Sequence, residues 1–584
     1  MPLLSSLFLF VFIFNFSGYS QEIVILKEYD KPPSYECGKY GGKLVIPVTS
    51  GPKSFNPILA KETSTTSITS LIFEGLTTIN PYTLEVEPQL AETWECKENG
   101  RVWIFHLRKD VFWNDGKKFT ADDVVFTFNK LIYNPHIPNS AKDIFTVEGK
   151  KIKVEKIDDF TVKFTLPQTF APFLRSLSQE ILPKHKLDKI VENGKFNSCW
   201  SISTSPEEIV GTGPYKLKKF FPEEMVILER NPYYWKKDSC GRRLPYIKEI
   251  LFLILPNQDT SLLKFIEGEV DYYPLRGEDL PILGPLQKRQ DFTIYNTGAS
   301  WGSNFLVLNQ NPGRNPHNNQ PFVKPYKLSW FKNRSFREAI ALCIDKKKII
   351  DLVYNGLGTP LHSPLNPSNK FYYNPHTKRY PYNPQKAKEI LLKLGFKDVD
   401  GDGILEDEKG HKVEIVLFTN SNNSQRIQIA SIIKKDLQDV GIKVYLIPLD
   451  FNTLVTKLTS TFDWEMVLIG LTGTLDPHFG KNVWYSSASL HMWYPFQKTP
   501  STSWEKEVDK IFDEACKTLD ENIRRQLYNR WQEIISYQLP VIYIAIQDSI
   551  FAVRNKFGNV YPSVWGGAFP EVEYVYMKTC KGDD

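Results

Sequence analysis

The 584-residue chain has no Cys-x-x-Cys among its seven cysteines and no His-x-His or His-x-x-x-His among its nine histidines. Structural zinc and zincin chemistry need such ligand spacing, so neither is expected. No segment repeats with a period of about 20–50 residues, which removes solenoids and propellers. A phosphate-cradling glycine loop and a dinucleotide fingerprint are both missing; Gly211-Thr-Gly213-Pro lacks the third glycine and the helix. Nothing is read as a nucleophile elbow. Lys and Arg form no long block, and a net charge of +5 on this length is mild, which argues against a nucleic-acid reader. Beyond Ser20 no apolar run reaches the ~20 residues needed to span a bilayer.

What is present suits packed cores. The chain is 41% hydrophobic and 14% aromatic, with length for roughly three or four domain equivalents. Residues 7–16 are an apolar run broken only by Asn15, and Gly18-Tyr19-Ser20 places small residues before Gln21. This reads as a secretory signal over residues 1–20, so the mature chain is expected in a periplasmic or extracytoplasmic space. The odd cysteine count leaves at least one thiol unpaired within the chain. Cys199 and Cys240 are the candidate pair in an oxidising space, and Cys343, on a helix's apolar stripe, reads as a buried hydrophobe.

Period-two alternation predicts strands at 43–50, 102–107, 161–166, 225–229 and 249–255. Helical stripes dominate from about residue 335. Phe336, Ala339, Ile340 and Cys343 share one face, with Arg337 and Glu338 turned away. Asn383-Pro384 supplies a cap and first-turn proline for a helix that stops at Gly395. Thr120 with Asp123 predicts a capped helix over 124–128. Strand 413–419, helix 424–440 and strand 442–449 make a right-handed parallel crossover, continued by helix 452–458 and strand 463–470. Ligands bind beyond the carboxyl ends of such strands. Residues 471–478 lie at one such end and 50–57 follow the first strand; two half-sites far apart in sequence predict a cleft between two lobes. The small residues Thr472, Gly473 and Thr474 would let a ligand approach closely.

A series of segments occurs in fixed order: Gly41-Gly-Lys-Leu44, Ser54-Phe-Asn-Pro57, Phe73-Glu-Gly-Leu76, Pro88-Gln-Leu-Ala-Glu-Thr-Trp94 and Phe105-His-Leu-Arg-Lys-Asp-Val-Phe-Trp-Asn-Asp-Gly116. Phe119-Thr-Ala-Asp-Asp-Val-Val-Phe126, Val210-Gly-Thr-Gly-Pro-Tyr215, Asn231-Pro-Tyr-Tyr-Trp235, Gly268-Glu-Val-Asp271, Phe336-Arg-Glu-Ala-Ile340 and Cys343-Ile-Asp345 follow. Over essentially all of residues 41–580 the chain resembles the family 5 extracellular solute-binding proteins, the peptide and nickel receptors of ABC importers. The resemblance implies an α/β, two-lobed periplasmic-binding-protein fold (type II) with an extra inserted subdomain. Lobe one would comprise 41–78, 207–300 and 546–584, the inserted subdomain 79–206, and lobe two 301–545. It implies a monomeric receptor that closes on a small solute and delivers it to the permease subunits of an ABC transporter in the membrane. A short peptide is the family default; an oligosaccharide or a metal chelate is the alternative. The rival class, an exported hydrolase, would need an activated nucleophile or a convergent acid/base pair, and no signature supplies one; no catalytic residue is assigned.

Peptide receptors of the family carry an aspartate for the peptide's α-amino group in the loop after the strand read here at 463–470. In this chain that position is Thr474 or is deleted, which argues against capture of a free N-terminus. Asp476, before Pro477, is either a substitute anchor or a turn former. The candidate ligand contacts are Phe55, Trp301, Leu471, Thr474 and Asp476. No cofactor is required. Asp398, Asp400, Asp402, the Ile404 carbonyl and Glu406 match positions 1, 3, 5, 7 and 9 of an EF-hand-like loop, with Gly403 at position 6. Lys409 stands at position 12 in place of the bidentate Glu, and Glu408 falls one residue early. These residues are the candidate ligands of a structural calcium; Asp-Gly repeats also make ordinary surface turns.

Overall fold

The computed structural model describes residues 11–16, 19–25, 33–60, 63–139, 141–315 and 318–578. The signal expected over 1–20 lies for the most part outside these residues, as does Cys580. The chain divides into two compact units: unit 1 holds 1–275, 281–297 and 550–584, and unit 2 holds 276–280 and 298–549. Among the described residues no helix is long and apolar enough to cross a membrane.

In unit 1 the strands Tyr215–Phe221, Met225–Arg230 and Glu249–Ile254 pair antiparallel, and Glu249–Ile254 runs parallel to Lys43–Val48. Val226 and Leu228, then Ile250 and Phe252, point into the core while their neighbours are half-exposed, the period of a strand with one buried face. The segment expected as an inserted subdomain builds its own antiparallel sheet, ordered Lys153–Asp158, Thr161–Thr165, Val102–Leu107, Ala91–Lys97. Helix Ala121–Phe126 starts three residues earlier than expected, because the Thr120 amide donates to the Asp123 carboxylate at 3.0 Å and closes the first turn. The disulfide joins Cys37 to Cys240, not Cys199 to Cys240. Cys199 is a free thiol accepting from Asn56 Nδ2 at 3.3 Å, and burial pushes its pKa up to about 12.

Unit 2 is organised by a five-stranded sheet ordered Lys443–Leu449, Glu414–Asn420, Met466–Leu471, Ser303–Leu308, Val541–Tyr543. The first three strands are parallel, and Ser303–Leu308 runs antiparallel to both of its neighbours. Both faces are buried over the inner strands, whereas the edge strand Lys443–Leu449 leaves Tyr445 and Ile447 exposed. Leu306, Leu308, Ile415, Leu417 and Leu468 pack under helices Arg334–Cys343 and Ser424–Gln438. Phe305, Val307, Val467 and Ile469 pack under Ser503–Lys517 and Glu521–Gln538. Helices on both faces explain why these strands read as nearly continuous apolar runs. Arg337 does not turn away from the core: it is buried, and its guanidinium donates to the carbonyls of Phe331, Gln538 and Leu539 at 2.6–2.9 Å. Those carbonyls close helices Pro325–Lys332 and Glu521–Gln538, where orphan acceptors and the negative dipole end favour a cation.

The first turn of Ser503–Lys517 buries Glu505 beneath five donors: His491 Nε2, Trp493 Nε1, Gln497 Nε2, Ser501 Oγ and Thr502 Oγ1, at 2.8–3.2 Å. Burial alone would raise its pKa, but the hydrogen bonds from His491, Gln497, Ser501 and Thr502 outweigh it and bring the carboxyl down to about 2. A depressed pKa contributes stability that is complete above the unfolded value and lost as pH falls through the folded one. We therefore expect unit 2 to lose on the order of 3 kcal/mol between about pH 4.5 and pH 2 from this group. Glu505→Gln should remove that acid dependence while lowering stability at pH 7; urea midpoints for both proteins at pH 7, 4 and 2.5 measure it.

Candidate functional site

Because Ser303–Leu308 runs against Met466–Leu471, the amino end of one meets the carboxyl end of the other, and Ser303 stands opposite Leu471. Tyr543 ends its strand beside them, opposite Phe305. The residues just before 303 and just after 471 are thus gathered at one sheet edge, the carboxyl ends of the parallel strands, where α/β folds bind ligands. A small, partly enclosed cavity of about 80 Å³ lies there, wholly within unit 2. Trp301, Gly302 and Ser303 form one wall, Leu471, Thr472, Gly473 and Thr474 another, and Trp484, Met492 and Tyr543 the apolar remainder.

The two loops are fixed by close backbone packing. Gly302 has φ of +112°, and a Cβ on it would lie 2.5 Å from the Leu471 carbonyl oxygen. One on Gly473 would lie 2.8 Å from the Gly302 nitrogen. Close packing against Gly302 is thus a second reason for a glycine at 473, besides its place in the cavity wall. Asn366 Nδ2 donates to the carbonyls of Ser300 and Gly302 at 3.0 and 2.9 Å, and Asn369 Nδ2 to those of Thr474 and Leu475 at 3.1 and 3.0 Å. Two amides from one segment thus hold both loops in place.

Of the five candidate contacts, Trp301, Leu471 and Thr474 line the cavity. Phe55 does not: it is 0% exposed in unit 1, edge-on to Phe220 with centroids 5.6 Å apart. Asp476 is also 0% exposed. One of its oxygens pairs with Arg524 Nη2 at 2.7 Å and the other accepts from the His478 amide at 3.0 Å, so its carboxylate holds the loop and is not free for a solute. Among the calcium candidates, carboxylate oxygens of Asp398, Asp400 and Glu406 converge within 4.8 Å of one another. Asp402 stands outside that trio, accepting from Lys412 and from the Ile404 amide.

The motif reading passes over one pentapeptide with nucleophile-elbow spacing, Gly298-Ala-Ser-Trp-Gly302. An elbow needs a strand, a tight turn and then a helix. Here strand Phe292–Ala299 leads directly to strand Ser303–Leu308, and Ser300 Oγ donates to the Gln547 carbonyl at 2.7 Å. This serine is a loop anchor.

The sequence reading also misses Arg426. It occupies the third position of helix Ser424–Gln438, where the helix dipole disfavours a cation; that misplaced charge was the available signal. Its side chain is half-buried, donating to Asn304 Oδ1 at 3.1 Å and to Asn420 Oδ1 at 3.0 Å. A Cβ on Gly470 would meet its Nη2 at 2.3 Å, which places the guanidinium against the carboxyl end of strand Met466–Leu471. Burial holds its pKa below the usual guanidinium value, and among the described residues no carboxylate pairs with it.

The family model for the bacterial extracellular solute-binding proteins, family 5 (middle region) matches residues 85–490. The dipeptide-binding protein of Escherichia coli is 27% identical over 88% of this chain and 91% of its own length. The oligopeptide-binding protein AppA of Bacillus subtilis is 25% identical, covering 89% of both chains; its structure with a nonapeptide superposes with a TM-score of 0.69 over 93% of this chain and 100% of that one. The binding protein MelB of Agrobacterium fabrum, solved with stachyose, has a TM-score of 0.70 at 22% identity, covering 96% of this chain and 87% of that one. These structures share the two-lobed periplasmic-binding-protein fold. With its family model spanning residues 85–490, the chain belongs to the family 5 bacterial extracellular solute-binding proteins.

Proposed function

We propose that this chain is the solute receptor of an ABC importer and that its solute is a short peptide whose carboxylate pairs with Arg426. The observation carrying this reading is a half-buried guanidinium with no carboxylate partner among the described residues, held by two neutral amides at the carboxyl ends of the parallel strands. Desolvating a cation without a counter-ion is costly, and a bound carboxylate would offset that cost through charge-assisted bonds. The aromatic and aliphatic lining suits an apolar peptide side chain, and among the described residues no Asp or Glu lines the cavity to hold an ammonium. Relatives named for dipeptide and oligopeptide binding support the solute class.

Arg426→Gln should weaken binding of di- and tripeptides by about 10- to 100-fold, since each 1.4 kcal/mol is tenfold. C-terminally amidated peptides should bind the wild type as weakly as free peptides bind the variant, and N-acetylation should change little. Calorimetry on the four combinations decides it; equal affinity for acid and amide would remove Arg426 from the site. An oligosaccharide is the second reading, favoured by the indole rings of Trp301 and Trp484 in the lining. A neutral sugar would bind the Arg426→Gln variant and the wild type alike.

A further inference from the structure

Glu406 poses a separate problem. It lies in a short hairpin where its backbone bridges Lys397 on one side and Lys412 on the other, with Lys397 and Glu406 exchanging amide bonds at 2.7 and 2.9 Å. The residue is 5% exposed. One carboxylate oxygen, Oε2, accepts from the Val399 amide at 2.8 Å. The other, Oε1, is buried and has no hydrogen-bond partner among the described residues. A buried carboxylate oxygen left without a donor carries its full desolvation cost, so such an atom calls for an explanation.

The surroundings supply one. Carboxylate oxygens of Asp398, Asp400 and Glu406 lie within 4.8 Å of one another. Ligands at 2.3–2.6 Å from one Ca²⁺ ion cannot be more than about 5 Å apart, so the three fit one coordination shell. The turn that presents them is already closed without an ion: Asp398 accepts from the amides of Gly401 and Gly403 at 2.8 and 3.0 Å. Four acids meet in this loop, and the facing cation is Lys412, which bonds Asp400 at 2.8 Å and also Asp402. Its Nζ stays 3.8 Å from Glu406 Oε1, beyond hydrogen-bond reach. Lys412 thus hydrogen-bonds the outer carboxylates and faces the inner oxygen only as a long ion pair, leaving that oxygen without a hydrogen bond.

We propose that the 398–406 loop binds Ca²⁺, with Asp398, Asp400 and Glu406 Oε1 as the protein's carboxylate ligands and the Lys412 ammonium displaced as the ion enters. Hard, all-oxygen donors on a loop with exposed rims suit Ca²⁺ over Mg²⁺, which demands stricter octahedral geometry and dehydrates reluctantly. With Lys409 in place of the usual bidentate glutamate, the site falls in the weak class, with a Kd of about 10⁻⁴–10⁻³ M.

The test is calorimetric titration of CaCl₂ into the chelator-treated full chain, with melting curves in Ca²⁺, Mg²⁺ and chelator. One Ca²⁺ per chain is expected, with a melting temperature higher in Ca²⁺ than in chelator and no matching rise in Mg²⁺. Glu406→Gln should raise the Kd at least about tenfold. Lys412→Met should lower it, because the competing cation is gone. Absence of binding heat in both the wild type and the folded Lys412→Met protein would overturn the proposal. So would Glu406→Gln binding as tightly as the wild type, since the ion would then sit elsewhere.

Discussion

Replacing Arg524 with leucine is expected to cost unit 2 about 3–5 kcal/mol, the loss typical when one partner of a buried ion pair is removed. The guanidinium is wholly buried and each of its nitrogens is engaged. Nη2 pairs with Asp476 at 2.7 Å, Nη1 donates to Tyr372 Oη at 2.7 Å, and Nε donates to the Ala515 carbonyl at 3.0 Å. Leucine would leave the Asp476 carboxylate buried with only the His478 amide as donor. The cost comes from that stranded charge more than from the hydrogen bonds to Tyr372 and Ala515. The double variant Arg524→Leu/Asp476→Leu should therefore recover much of the loss. Urea unfolding followed by tryptophan fluorescence measures all three proteins; a double variant no better than the single one would show that the penalty is packing and not charge. Solute affinity should fall with the single variant, because Asp476 also closes the turn Pro477–Gly480 behind the cavity loop.

Thr474→Trp is expected to abolish solute binding, with at least about a 100-fold rise in Kd, equivalent to roughly 2.7 kcal/mol. The Thr474 side chain lines the cavity, whereas its carbonyl is what Asn369 holds. An indole can thus fill the space while the backbone anchor stays intact, and the melting temperature of the empty protein should move by no more than about 3 °C. Thr474→Val keeps the size and removes the hydroxyl, so it separates occlusion from a missing polar partner. Unchanged affinity in a folded Thr474→Trp protein would take this loop out of the site.

The parts of the fold set by local pattern were legible. The crossover from 413 to 449 appears within two residues of its expected bounds, because period-two and period-3.6 burial are written directly into the chain. Strand polarity pointed to the loop from residue 471, and its Leu471 and Thr474 line the cavity. What stayed hidden depends on partners distant in sequence. Asp476 read as either a ligand anchor or a turn former; it caps the turn, and nothing near it in sequence shows that Arg524, on a helix 48 residues later, neutralises it. Arg337 looked solvent-facing because its acceptors are the ends of two other helices. Trp484, Met492 and Tyr543 could not be told from core residues in a chain that is 14% aromatic, since apolar residues look alike whether they face a cavity or a packed neighbour.

The discontinuity of unit 1 has a consequence for how the molecule comes into being. Its strand Tyr272–Pro274 pairs with Phe551 to Val553, and Lys236 forms ion pairs with Glu571 and Glu573. Nearly all of unit 2, residues 298–549, is a single uninterrupted stretch that is synthesised before those partners exist. Chains emerge amino end first, and pairing between remote segments waits on loop closure. Unit 1 is therefore completed only after the whole of 298–549 has been made, when its last segment has left the ribosome.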